Sequence, residues 1–94
     1  PVDLSLALAE LRARGHAVLL TEGGPHLLGE LMKRGLVDEA FLTVSPVIAG
    51  SGSEPRLGMA AGVEFLPGNG LWSDLLSARR HGGFLFLRYR LPIA

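Results

Sequence analysis

The sequence contains no cysteine. That removes disulfides, thiolate metal ligands and a cysteine nucleophile from consideration, and it fits a reducing, cytoplasmic setting. It also lacks any run approaching the roughly 20 apolar residues of a membrane helix, and no signal-peptide pattern opens it. A surplus of either charge is missing too. Nine Lys and Arg balance nine Asp and Glu, so no overall field favours nucleic acid or an anionic membrane, although a local anion site remains open.

What is present suits one globular domain. The 94 residues are 48% hydrophobic and 19% charged, well outside the composition of a disordered chain. The first residue is Pro1 rather than methionine, and the sequence is expected to be a piece of a longer protein.

Asp3 precedes the stripe Leu4, Ala7, Leu8 and Leu11, Glu10 stands four residues before Arg14, and Gly15 follows. This spacing predicts a helix of about three turns, capped by Asp3 and closed by Gly15. The apolar run His16 to Thr21 predicts a strand covered on both faces. A second helix is expected from Pro25, with Leu27, Leu28, Leu31 and Met32 as its buried stripe, Glu30 paired to Arg34, and Gly35 as its stop. Phe41 to Val44 predicts a further strand that ends before Pro46. Strand, helix and strand together suggest a βαβ unit with parallel strands.

Residues 50–70 are rich in glycine, proline and serine and predict a long irregular connection with at most a short helical turn near Leu57–Ala61. The C-terminal part predicts two strands joined at Gly82–Gly83. In the last strand Leu85, Leu87, Tyr89 and Leu91 share one face, and Phe84, Phe86, Arg88 and Arg90 the other.

The stretch "TEGGPHLLGEL" (Thr21 to Leu31) concentrates the chemistry. A glycine-rich turn entering a helix leaves backbone N–H groups free at the positive end of the helix dipole, and glycine lets a phosphate approach them. The pattern matches neither the dinucleotide fingerprint nor the P-loop, so a plain tight turn accounts for it as well. Glu22 stands where open α/β sheets place ligand-binding groups. An acid there repels a phosphate, and suits a hydroxyl or amine of a second ligand; a helix-capping role is the simpler reading. His16, His26 and His81 lack metal-site spacing, and no metal is expected. The arginines and aromatics of "ARRHGGFLFLRYR" fit a hairpin better than an RNA-binding strand. Asp38, Glu39 and Ser45–Pro46 flank a strand and read equally as loop edges.

Taken together, "LLTEGGPHLLGELMKRGLVDEAFLTVSPVIAGSG" and the closing "GGFLFLRYR" resemble the reductase domain of bacterial riboflavin-biosynthesis deaminase-reductases, shared by stand-alone pyrimidine reductases. The resemblance runs from about Leu4 to Leu91. It implies an α/β, dihydrofolate reductase-like fold: a mostly parallel sheet flanked by helices with a C-terminal antiparallel hairpin. Residues 1–94 would form the C-terminal half of that domain. It further implies NADPH-dependent reduction of the ribosyl group of a phosphorylated aminopyrimidine, and a homodimer. Under this resemblance Gly23, Gly24, Pro25 and His26 take the cofactor's pyrophosphate, Leu27 lines the cleft, Pro46 and Gly50 border it, and Glu22 faces the substrate ribose as the candidate catalytic acid. The Gly23–Gly24 peptide is expected to be cis. His26 departs from the small hydroxyl residue expected at its position. An enzyme of the same fold acting on another substrate, such as a pterin, and a non-catalytic chain that dimerises through an exposed edge are the alternatives.

Overall fold

The computed structural model describes residues 2–53 and 58–92. Two helices precede a three-stranded sheet: α1 (Leu4–Ala13), α2 (Pro25–Lys33), β1 (Glu39–Val44), β2 (Asp74–His81) and β3 (Phe84–Arg90).

Both helices start and stop where their end residues dictate. The Asp3 side chain accepts the Leu6 N–H at 3.2 Å and caps α1, and Pro25 takes the first position of α2 behind Gly24. At the C-terminal ends, Gly15 (φ 94°) and Gly35 (φ 68°) adopt the left-handed conformation that costs glycine little. The following amides then return to the helix: His16 N–H donates to the Leu11 carbonyl at 3.2 Å, and Leu36 N–H to Leu31 at 3.0 Å. Both helices thus close with the same wrapped cap. The expected stripe of α1, Leu4, Ala7, Leu8 and Leu11, is half-buried. In α2 the stripe is narrower than expected, with Gly29, Leu31 and Met32 buried, Leu28 half-buried and Leu27 exposed.

The sheet has the order β1-β3-β2, and both pairings are antiparallel. The hairpin turns at Gly82–Gly83, with His81 facing Phe84 across it. Gly82 takes φ 60°, a value that favours glycine in a two-residue turn. Leu76 is the extra residue of a bulge between Leu75 and Ser77, which shifts β2 by one position against β3. The registers give the sheet two distinct faces, because directly opposite residues point the same way. Glu39, Phe41 and Thr43 lie with Phe86, Arg88, Arg90, Ser77 and Arg79; Ala40, Leu42 and Val44 lie with Leu85, Leu87, Tyr89 and Ala78.

Two expectations change. Residues His16–Thr21 do not form a strand, and they are exposed rather than covered, with Val18 at 90% and Leu20 at 79%. A strand exists only through its ladder, and no described segment pairs with this run. The described sheet is therefore antiparallel throughout, and a parallel βαβ unit is not formed among the described residues. The buried apolar residues are Leu31 and Met32 of α2 and Leu91 just after β3. Within the irregular connection, Leu57 lies outside the described residues, and Gly58–Ala61 forms bends and not a helical turn.

Candidate functional site

Thr21–Leu27 joins the extended run to α2. The Thr21 hydroxyl accepts the Gly23 N–H at 3.3 Å, which bends the chain just before the helix. Gly24 is the N-cap, with extended backbone (φ −69°, ψ 177°) and no side chain to cap the helix. Its carbonyl accepts the Leu28 N–H at 3.1 Å and starts the ladder. Pro25 has no N–H to satisfy. The N–H groups of Gly24, His26 and Leu27 have no acceptor among the described residues, and they lie at the positive end of α2.

The two glycines differ in their surroundings. A β-carbon on Gly23 would run into the Leu27 side chain, whereas one on Gly24 would meet nothing within 4 Å. The β-carbon direction at Gly24 is therefore open, beside the unpaired amides of the helix start. The Gly23–Gly24 peptide is trans; the cis peptide among the described residues joins Leu66 to Pro67.

Glu22, Gly23, Gly24, His26 and Leu27 are exposed and Pro25 is half-buried, so six of the expected site residues share one accessible turn. Pro46 follows β1, and its ring packs on the hairpin turn, 3.1 Å from where a Gly83 side chain would begin. Gly50 takes φ 67° with nothing within 4 Å of its side-chain direction.

Two arrangements were not legible in the chain. Arg88 grips Glu39 through both guanidinium arms, at 2.8 and 2.7 Å, and its guanidinium carbon lies 5.8 Å from the centre of the Phe41 ring. The hydrogen bonds from Arg88 hold the Glu39 carboxyl below the usual carboxylate range. Phe41, Ser77, Arg79, Phe86, Leu87 and Arg88 border an open hollow on this face. The second is the segment Ala60–Val63, which lies against α2: Ala61 N–H donates to the Pro25 carbonyl at 2.9 Å, and Gly62 meets the His26 imidazole. Both contacts join residues far apart in sequence, so spacing alone could not reveal them. No group of three or more His, Asp or Glu among the described residues could hold a metal ion, and no described helix is long and apolar enough to cross a membrane.

The RibD C-terminal domain profile matches residues 1–66 of the 94. No match to a curated protein accompanies it. The matched region holds both helices, the glycine turn, β1 and the segment that lies on α2, while β2 and β3 follow it. The chain belongs to the RibD C-terminal domain family, a family of riboflavin-pathway reductases.

Proposed function

We propose that this chain contributes the cofactor-phosphate cradle of an NADPH-dependent reductase, which converts the ribosyl group of 5-amino-6-(5-phosphoribosylamino)uracil to its ribityl form in the cytoplasm. Membership of a reductase family supports an oxidoreductase in general. The observation that carries the finer reading is the set of acceptor-free amides of Gly24, His26 and Leu27, with clear space above Gly24.

In this reading NADPH supplies the hydride, and the protein binds and orients. The amides of Gly24, His26 and Leu27 receive the pyrophosphate, with no side chain on Gly24 to obstruct it. Leu27 lines the cleft beside Gly23. Glu22 faces the ribose end of the substrate. Pro46 and Gly50 are assigned to the cofactor side by family resemblance alone, and so is the homodimer.

The test is Gly24→Asp in the full-length protein. The open surroundings of Gly24 accommodate the new side chain, so the fold is expected to persist. Its carboxylate would occupy and repel the phosphate, and NADPH binding should fall at least about a hundredfold, as for a like charge placed at a charge-recognition site. Wild-type NADPH affinity in that variant would refute the cradle. Turnover of the ribosyl compound against dihydrofolate by the wild-type enzyme tests the substrate.

A second reading is favoured by the apolar side chains left uncovered on the sheet and on residues 16–21: a non-catalytic chain that associates through them. Calorimetric titration with NADPH separates the two, since the second reading expects no heat at millimolar cofactor.

A further inference from the structure

α2 carries a buried glycine in its middle, where alanine would favour the helix. The reason lies in residues far along the chain. A β-carbon on Gly29 would collide with the Ala61 carbonyl oxygen, and would stand 3.0 Å from Val63 Cγ1 and 3.2 Å from the Ala61 nitrogen. The main obstacle is backbone, so no side-chain rotation relieves it. One helical turn earlier the Pro25 carbonyl accepts the Ala61 N–H at 2.9 Å. Pro25 and Gly29 are four residues apart and therefore share one face of the helix. Between them Gly62 (φ 77°) brings its backbone to the His26 ring, whose Cδ2 lies 3.4 Å from the position of a Gly62 side chain.

Three consecutive residues of one segment thus engage three positions in the first turns of α2, at the end that offers its amides. The space over Gly24 remains clear of it.

We propose that Ala60–Val63 is a strap that fixes the orientation of the Gly24, His26 and Leu27 amides, and that Gly29 is the positioning residue that seats it. The proposal rests on the cofactor cradle described above. Neither the strap nor Gly29 touches the cofactor; they act through the helix start. With the strap displaced, the first turn of α2 is held only by its own ladder, and the amides lose their shared aim.

The experiment uses the full-length protein with three variants: Gly29→Ala, Ala61→Pro, which removes the N–H given to Pro25, and Gly24→Asp. Far-UV circular dichroism and thermal unfolding establish which of them fold. The strap predicts that Gly29→Ala raises both the Kd and the KM for NADPH about tenfold, the scale of one lost hydrogen bond, while kcat stays within about twofold. Ala61→Pro should shift them in the same direction, and it decides the question if Gly29→Ala does not fold. Folded variants that bind NADPH with wild-type affinity overturn the strap. So does a fall in kcat with KM unchanged, which is the signature of a smaller folded fraction. Wild-type affinity in Gly24→Asp would instead overturn the cradle itself, so the two failures are distinguishable.

Discussion

Arg88 illustrates what single residues contribute here. It stands directly opposite Phe41 across the β1–β3 ladder and reaches diagonally to Glu39, so one side chain serves an aromatic ring and a carboxylate together. The hydrogen bonds from Arg88, the largest influence on Glu39, favour its ionised form, and Glu39 in turn raises the pKa of Arg88. A carboxyl whose folded pKa lies below its unfolded value stabilises the fold above the unfolded pKa. That stability disappears as pH falls through the folded pKa. Wild type should therefore unfold at a higher temperature than Glu39→Gln near neutral pH, and the gap should close in the acid range below the ordinary glutamate pKa. Melting curves across pH check this, and a gap that widened on acidification would contradict it. The partners are solvent-exposed, so the effect is small. Local ion pairs were legible from spacing: Glu10 and Arg14 meet at 3.0 Å, and Glu30 and Arg34 at 2.9 Å. Glu39 and Arg88 were not, because their meeting depends on the register of two distant strands.

At the scale of elements, helix ends were written most plainly. Asp3, Gly15, Pro25 and Gly35 each do what their type favours, because a cap is settled by a few neighbouring residues. Asp3→Ala removes the acceptor for the Leu6 N–H and the carboxylate 3.8 Å from Arg34. It should cost about 1 kcal/mol in chemical denaturation. The two glycines of α2 and its approach give a sharper contrast. Gly23→Ala confronts the movable end of the Leu27 side chain, while Gly29→Ala confronts backbone. The first should be nearly neutral and the second should cost about 1–3 kcal/mol, as for overpacking; equal effects would contradict the difference in surroundings. The apolar run at residues 16–21 shows where this reasoning stops. Its composition favours extended backbone, but pairing is a property of two segments, and the sequence of one cannot supply the other. The Gly23–Leu27 turn was legible as a glycine-led helix start because Gly24 and Pro25 lie side by side. The strap was not, since a buried mid-helix glycine does not name the segment that fills its space.

Over the whole molecule, two magnitudes agree. The Cα radius of gyration is 15.3 Å, against about 12 Å for a compact domain of this length. The accessible surface is 7756 Å², against about 5,200 Å² for a compact protein of this mass. Large apolar side chains contribute to it: Ile48 is 98% exposed, Trp72 83% and Phe41 69%. A chain with this surface should self-associate when studied alone as residues 1–94, with a sedimentation coefficient that rises with concentration, and should enhance the fluorescence of a hydrophobic dye. A monomer with no dye response would show that the apolar side chains find cover within the chain. The strand order has its own consequence. The last of the three described strands in sequence is the middle one in space, and among the described residues β1 and β2 each pair only with it. A stop codon just before Phe84 would thus erase the sheet instead of trimming an edge from it, leaving two orphaned strands some thirty residues apart with nothing between them to join.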